Sequence, residues 1–166
     1  STSRRRRPCR TQASGTTLNG SRPEGGRTPA AADSLQPRRT GDGSLSLWSE
    51  RFGEAFHSGR GAHAEALGKF VAPAQLERFA AGTRLRVLDV CVGLGYNTAA
   101  LLEAAEDQGL EIDWIGLELD PRPLALALED PSFRTLWRPS TLSALQQLHE
   151  QGHWRSGASG RAGASG

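Results

Sequence analysis

Apolar residues are concentrated between residues 85 and 148, where short apolar runs alternate with helical spacing. The first run, LRVLDVCV at 85–92, is rich in Val with one acid inside it, a pattern typical of a parallel strand buried on both faces. From Asn97 the apolar residues recur at helical spacing until Gly109, and DWIGLEL at 113–119 is a second buried-strand candidate. A strand, a helix and a strand in this order predict one right-handed βαβ unit.

Helices are also predicted on both sides of this unit. Upstream, PAQLERFAAG at 73–82 places Leu76 and Phe79 on one helical face. Downstream, two Asp-Pro pairs each supply an N-cap and a first-turn proline, and Ser140 precedes a longer apolar period as its cap. These downstream segments are Asp120-Pro121, Asp130-Pro131 and TLSALQQLHE at 141–150.

Composition divides the chain into three regions. Residues 1–39 contain two leucines and no aromatic residue, so they cannot bury enough apolar surface to offset their ordering entropy. They are expected to form a disordered, Arg-rich arm. Residues 155–166, rich in Gly, Ser and Ala, are expected to form a disordered tail. Residues 40–154 remain as the foldable domain.

Charge follows the same division. Residues 1–39 hold nine Arg against two acids, a net of +7, whereas residues 40–166 hold eleven basic and sixteen acidic residues, a net of −5. The cluster at 4–7 can bind nucleic-acid phosphates, but no aromatic residue interleaves with it, and we favour a solvated tail. No stretch reaches the length of a membrane span, and Cys9 and Cys91 are too few for a disulfide framework. We therefore expect no membrane partner and a cytoplasmic location.

The turn after the first predicted strand carries Gly93 and Gly95. In a βαβ unit this turn lies at the carboxyl edge of the sheet, where ligands bind, and glycines let a ligand approach the backbone. Glu118, near the end of the second strand, can accept hydrogen bonds from both hydroxyls of a ribose. Asp89, inside an apolar run, needs a partner, and either anchors the loop or faces the ligand through water. The alternative is that Asp89 is a strand-end turn acid and Glu118 an exposed edge charge.

The residues around the glycines favour one nucleotide class. The dinucleotide fingerprint requires Gly or Ala at position 98, where Thr98 stands, which disfavours an NAD-linked dehydrogenase. The pattern D-x-x-x-G-x-G is similar to the first motif of S-adenosylmethionine-dependent methyltransferases, whose usual form has a glycine at the position of Cys91. With no nearby base in the sequence to lower its pKa, this thiol is expected to be buried and inert.

Upstream motifs narrow the resemblance. They are T-x-D-G-S at Thr40–Ser44, F-H-S-x-x-G-A at Phe56–Ala62, Glu65, and G-L-G-Y-N at Gly93–Asn97. Together they resemble the methyltransferase domain of the MnmC-like family, which completes the aminomethyl side chain of the modified wobble uridine in bacterial tRNA.

The resemblance implies an α/β, partial Rossmann-like methyltransferase fold that is incomplete at the C-terminus, S-adenosylmethionine as the cofactor and tRNA as the partner. Ser58 and Glu65 would help to wall the cofactor pocket. The cofactor-binding residues that it implies are Asp89, Gly93, Gly95, Tyr96, Asn97, Glu118, Ser58 and Glu65. The family's later strands and acceptor-side Asp have no counterpart here, so the catalytic residues are unknown and the chain alone is expected to transfer no methyl group.

Several questions stay open at this point. His57 and His63 are interpreted as surface or satisfied groups, and no metal is expected. The sequence does not indicate an oligomeric state.

The main alternative to a methyltransferase is an inactive cofactor-binding or interaction fragment, and the NAD-linked dehydrogenase comes after it. Because the family includes fusions with an oxidoreductase half, a CH–NH oxidoreductase label could also be attached to the chain, although no flavin fingerprint is present.

Overall fold

A computed structural model describes residues 33–152 and 154 of the chain. The predictions of disorder for residues 1–32 and 155–166 lie outside these residues. Within them the chain forms five strands, six α-helices, a π-helical turn (Ala66–Val71) and a 3₁₀ turn (Leu76–Arg78). The strands are β1 Leu35–Arg39, β2 Leu45–Ser49, β3 Glu54–Ala55, β4 Arg84–Val90 and β5 Glu111–Leu117. The α-helices are α1 Ala62–Glu65, α2 Ala72–Ala74, α3 Tyr96–Asp107, α4 Arg122–Glu129, α5 Pro131–Arg134 and α6 Pro139–Gln151.

The predicted βαβ unit is confirmed. Strands β4 and β5 pair in parallel, with Leu88 opposite Ile115, and α3 is the helix between them. The observed strands begin and end one or two residues earlier than the apolar runs suggested. The class is therefore α/β, with a partial Rossmann-like arrangement.

The prediction that both strands are buried on both faces is wrong. One face packs against the helical layer through Leu85, Val87, Ile112 and Trp114. The opposite face is open: Leu88, Val90, Ile115 and Leu117 are 62%, 59%, 63% and 54% exposed. Burial alternates along each strand because, within the described residues, helices cover only one side of this sheet.

A second sheet, formed by β1, β2 and β3, was not predicted. It is antiparallel, and β2 is central, with Leu45 and Leu47 buried in the core. Strand β1, LQPRR, is mostly exposed and owes its place to pairing with β2 along its whole length. The predicted arm boundary at residue 39 is therefore wrong, because residues 35–39 belong to the folded part.

The region upstream of β4 is helical, but it is not the single helix predicted for residues 73–82. Helix α2 ends at Ala74, and Gln75 takes a left-handed conformation with φ of 49° before the 3₁₀ turn. Leu76 and Phe79 nevertheless pack in the same apolar cluster. The prediction that these two apolar residues pack on the same side is therefore correct, but the prediction of one continuous helix is wrong.

The predicted capping of the downstream helices is correct in part. The Asp130 side chain accepts hydrogen bonds from the backbone N–H groups of Ser132 and Phe133, as an N-cap should. Asp120 accepts from the N–H of Arg122, although the residue at the cap of α4 is Pro121. Ser140 is not a cap, because α6 already begins at Pro139.

The core consists of two apolar clusters in contact with the helical layer. The larger one contains an aromatic group in which the ring centroids of Tyr96 and Phe133 lie 4.9 Å apart, with Trp137 beside them. The smaller one surrounds Leu102 and Ile112 under the parallel sheet. None of the helices in the described residues has the length and apolar character needed to cross a bilayer.

Candidate functional site at the glycine turn

The loop between β4 and α3, residues 91–95, is here called the glycine turn. Cys91, Gly93 and Gly95 all have positive φ, at 62°, 58° and 86°. The two residues between them, Val92 and Leu94, are buried and hold the turn on the core. The turn therefore lies at the carboxyl end of the parallel strands, where the sequence placed it.

Glu118 lies directly after β5 and is bonded to the glycine turn. Its Oε2 accepts a hydrogen bond from the Gly93 N–H at 2.7 Å, and its Oε1 accepts from the N–H groups of Leu119 and Asp120. The side chain is exposed, and a carboxylate offers about four acceptor positions. The two predicted site residues therefore meet, and the carboxylate keeps accepting capacity toward solvent.

Asp89, on the strand that precedes the glycine turn, anchors this turn through a hydrogen bond. It is half-buried on the covered face of β4, and its carboxylate accepts a hydrogen bond from the Thr98 hydroxyl in the first turn of α3. Of the two roles that the sequence left open for Asp89, the structure shows the anchor. The sequence indicated only that Thr98 disfavours a dinucleotide site. It did not predict that the Thr98 hydroxyl donates a hydrogen bond to Asp89.

Gly93 and Gly95 have different surroundings. A Cβ added at Gly95 would lie 2.9 Å from Leu124 Cδ1 and 3.5 Å from Leu145 Cδ2, both in the core. At Gly93 it would lie 3.6 Å from the Phe56 ring, at the surface of the turn. The missing side chain of Gly95 therefore makes room for core leucines, and the expectation that a ligand approaches both glycines stays a prediction.

Cys91 is exposed, so the expectation of a buried thiol is wrong. Its φ of 62° places it in the left-handed region, which costs an ordinary residue about 1–2 kcal/mol. This is the position at which the resembling methyltransferase motif has a glycine. The backbone at Cys91 thus has a conformation that favours glycine, although this residue carries a side chain.

The F-H-S segment reaches the glycine turn. The Phe56 ring lies close to Gly93, 3.6 Å from where a Cβ of that residue would be, and the His57 ring packs edge-on against Tyr96 with centroids 5.2 Å apart. His57 Nδ1 also lies 3.3 Å from Ser46 Oγ, and burial lowers the pKa of this imidazole. The sequence predicted Phe56 only as part of the F-H-S motif and not as a cofactor-binding residue. Its place beside the turn makes it a further candidate site residue.

Ser58 and Glu65 form a pair next to this segment. Both the N–H and the hydroxyl of Ser58 donate to Glu65 Oε2, at 3.3 and 3.2 Å. Glu65 also pairs with Lys69, which, with the bonds from Ser58, lowers the pKa of the carboxyl. Among the described residues, neither Ser58 nor Glu65 has a hydrogen bond or ion pair with Glu118.

The T-x-D-G-S motif supports the start of α1. Asp42 accepts hydrogen bonds from the Ala64 N–H, the Thr40 hydroxyl and Ser44, while Ser44 Oγ accepts from the Ala62 N–H at 3.0 Å. Burial acts to raise the pKa of Asp42, but these hydrogen bonds outweigh it and hold the pKa well below its usual range. The motif therefore fixes the helix on which Glu65 stands.

Two other predicted site residues, Tyr96 and Asn97, begin α3. The Tyr96 side chain is 1% exposed and belongs to the core, and burial raises its pKa to about 12. Its hydroxyl lies near Ser44 without completing a hydrogen bond of ordinary geometry. A cofactor contact from Tyr96 would therefore come from its backbone, whereas Asn97 is half-buried with a free amide within the described residues.

The histidines are separate from each other. His63 packs edge-on against Trp137, with ring centroids 5.0 Å apart, whereas His57 packs against Tyr96. Among residues 33–152 and 154, no three or more His, Cys, Asp or Glu side chains are grouped so that they could hold a metal ion.

Comparisons with known proteins agree with this architecture. The chain is 36% identical over 92 residues to an uncharacterized protein of Methanocaldococcus jannaschii, a match that covers 55% of this chain and 24% of that protein. It is also similar to the crystal structure of MnmC2 from Aquifex aeolicus, with a TM-score of 0.51 and 35% identity over 55% of this chain and 31% of that chain. No protein-family model matches. The chain thus spans less than a third of the length of each of these proteins.

The fold and the turn define a partial Rossmann-like α/β domain with a glycine-rich strand-to-helix loop. The similarity to the MnmC2 structure, over 55% of this chain, supports an MnmC-like domain.

Proposed function

We propose that this domain binds S-adenosylmethionine at the glycine turn and belongs to the cofactor-binding half of a tRNA-modifying methyltransferase. The observation that carries the proposal is the hydrogen bond from the Gly93 N–H to Glu118, which joins the ends of the two parallel strands. The similarity to the MnmC2 structure supports the choice of enzyme family, and the resemblance of the sequence motifs to the MnmC-like family implies tRNA as the partner.

The chemistry of the residues present fits an adenosine cofactor. Glu118 is an exposed acceptor with spare lone pairs beside a backbone that carries no Cβ at Gly93, which suits a ribose diol. Phe56, 39% exposed and close to the same glycine, offers an apolar ring surface for the cofactor. When bound, S-adenosylmethionine would supply an electrophilic methyl group on a sulfonium.

The chain's own residues would orient the cofactor. Glu118 would hold the ribose, and the half-buried backbone at Gly93, which carries no Cβ, would allow close approach. Asp89 would keep the turn in shape through Thr98. Ser58 and Glu65 would form a polar wall beyond Phe56. In-line methyl transfer depends mainly on positioning and on loss of the amine proton, and no residue described here is assigned that proton. The proposal for this chain is therefore binding.

Ligand-dependent melting tests the proposal. A ligand that binds only the folded state raises the melting temperature, so S-adenosylmethionine and S-adenosylhomocysteine should each raise it, while NAD⁺ should not. Isothermal calorimetry would then give the affinity. An unchanged melting temperature with both sulfur cofactors at millimolar concentration would exclude the proposed site.

A second candidate is an interaction module that does not use a cofactor. The open apolar face of the β4–β5 sheet favours it, because exposed apolar patches of this kind mark contact surfaces. The two candidates differ in the melting experiment: an interaction module should show no response to either sulfur cofactor.

A further inference from the structure

The three residues of the F-H-S segment, Phe56, His57 and Ser58, are each held by a different neighbour. The Phe56 N–H donates to the carbonyl oxygen of Leu47 in β2, at 2.9 Å. The N–H and the hydroxyl of Ser58 donate to Glu65 in α1. His57 lies between them, and its side chain contacts both β2 and α3. The segment therefore connects the antiparallel sheet to the helical layer beside the glycine turn.

The imidazole of His57 has two neighbours in the interior. Its Nδ1 lies 3.3 Å from the hydroxyl oxygen of Ser46, and its ring packs edge-on against Tyr96 with centroids 5.2 Å apart. Both neighbours are 1% exposed, whereas His57 itself is half-buried. Because protein interiors are close-packed, these neighbours hold fixed positions, and the two contacts restrict the orientation of the imidazole ring.

The Phe56 ring depends on this anchor for its place beside the glycine turn. The ring lies 3.6 Å from where a Cβ of Gly93 would be, and the residue is 39% exposed. A phenyl ring has no hydrogen-bonding group, so the backbone on either side must fix an exposed one. His57 is the next residue in the chain. Movement of the imidazole away from its two neighbours would therefore move the Phe56 ring away from Gly93.

We propose that His57 is a positioning residue for the candidate cofactor site, and that its neutral form holds the Phe56 ring beside Gly93. The effect on ligand affinity rests on the function proposed above, whereas the placement of the ring does not. Protonation would put a positive charge into the half-buried space between Ser46 and Tyr96, where water solvates it poorly. The charged imidazole would be better solvated outside this space, and its departure would displace the segment.

The titratable groups around His57 do not remove this cost. The carboxylates that act on it are Glu65 in α1 and Asp42 in the loop between β1 and β2, and both favour the protonated form. Burial outweighs them and lowers the pKa of His57 below its ordinary value of 6.5. In α3, Tyr96 stays neutral because burial raises its pKa to about 12. The anchor is therefore complete at neutral pH and is lost as the pH falls through the lowered pKa.

Ligand affinity as a function of pH tests this role. Calorimetry of the full chain with S-adenosylhomocysteine gives the affinity. Between about pH 7.5 and about pH 5.5, the range in which histidines titrate, the affinity of the parent should fall by about threefold or more. His57→Asn lacks the titrating group and should lose this dependence, whereas the matched control His63→Asn, in α1, should keep it. A parent affinity that does not change with pH, or an equal change in His57→Asn, would overturn the proposal.

A comparison of two substitutions separates positioning from stability. His57→Ala removes the contact with Ser46 and should weaken ligand binding about three- to tenfold at neutral pH, which corresponds to one hydrogen bond. Asn carries a polar atom close to the place of Nδ1, so His57→Asn should regain part of the affinity that His57→Ala loses. A role in stability alone would lower the melting temperatures and leave the folded variants with the parent's affinity.

Nuclear magnetic resonance of the free protein gives a readout that needs no ligand. The nuclear Overhauser effect between the Phe56 ring and the Cα protons of Gly93 should weaken as the His57 imidazole protonates, and should stay constant over the same pH range in His57→Asn. An effect that ignores this titration in the parent would overturn the proposal whether or not a ligand binds. If the effect follows the titration but S-adenosylhomocysteine does not bind, the positioning role of His57 stands and the proposed cofactor site fails.

Discussion

The carboxylate of Asp89 in β4 accepts a hydrogen bond from the hydroxyl of Thr98 in α3, across the glycine turn. Thr98 is 1% exposed and Asp89 is half-buried, so the bond lies largely away from water. It ties the end of the first parallel strand to the helix that covers it, and the shape of the turn between them depends on it.

Removing the donor should therefore destabilise the fold. Thr98→Val keeps the shape of the side chain but leaves the Asp89 carboxylate without its partner, at an expected cost of about 1–3 kcal/mol in the free energy of unfolding. Urea denaturation followed by circular dichroism measures it. The matched control is Thr135→Val, whose exposed hydroxyl bonds to the Ser132 carbonyl and should matter little. Equal losses of unfolding free energy in the two variants would mean that the Asp89–Thr98 hydrogen bond contributes no more than the exposed one at Thr135.

Gly95→Ala should destabilise the fold more than Gly43→Ala. Both glycines have φ above 80°, at 86° and 82°, so both alanines carry the cost of the left-handed conformation. Only at Gly95 does the new Cβ meet a neighbour, Leu124 Cδ1 at 2.9 Å, while nothing lies within 4 Å of it at Gly43. We expect an additional cost of about 1–3 kcal/mol at Gly95 from overpacking. Thermal unfolding of the pair measures this difference, and equal melting temperatures would contradict it.

Cys91→Gly should stabilise the protein. Relief of the left-handed strain is worth about 1–2 kcal/mol, and the greater freedom of glycine in the unfolded chain removes about half of that, leaving a gain of about 0.5–1 kcal/mol. Cys91→Ala is the control: it removes the thiol and keeps the Cβ, so it should give no gain. If both variants were equally stabilised in urea denaturation, the thiol and not the backbone would be the source.

Glu118→Ala should weaken binding of S-adenosylmethionine by about 1.5–3 kcal/mol, the range for hydrogen bonds to a charged group. The control is Glu129→Gln, an exposed acid without a partner among the described residues. Because Glu118 also accepts from Gly93, Leu119 and Asp120, the melting temperature of the variant without ligand must be measured too. A folded Glu118→Ala protein with the parent's affinity would show that this carboxylate is only a loop anchor.

Asp42 should make stability depend on pH in the acid range. Its pKa in the folded state is held below its ordinary value of 3.8, so its contribution to folding is complete above that value and is lost as the pH falls below it. Asp42→Asn lacks the titrating group. The difference in unfolding free energy between parent and variant should thus be largest near neutral pH and shrink in acid. A difference that stays constant in acid denaturation would argue against the carboxylate as the cause.

The parts of the fold that the sequence predicted are those in which local pattern and tertiary role agree. Strands β4 and β5, helix α3 and the cap at Asp130 combine apolar periodicity with recognisable ends. The covering of the strands was misjudged because an apolar run shows that a strand prefers burial on both faces, and not whether a second layer is present. Leu88 and Ile115 are as apolar as buried strand residues, yet both are exposed.

The antiparallel sheet could not be predicted for a different reason. Strand β1 carries Pro37 and two arginines and has little apolar character, so its stability comes from backbone pairing with β2, a long-range contact that leaves no local signal. The break at Gln75 is similar, because no local sequence signal marks a left-handed residue other than glycine. At the candidate site, the sequence located Gly93 and Glu118 but could not show that Gly95 faces the core.

The bond from Gly93 to Glu118 also determines how the loops at this edge can move. It joins residues 25 positions apart, and the same carboxylate holds the loop after β5 through Leu119 and Asp120. The two loops should therefore open together, as one small cooperative unit, instead of fraying separately. In hydrogen exchange, the amide protons of Gly93, Leu119 and Asp120 should therefore share one opening free energy.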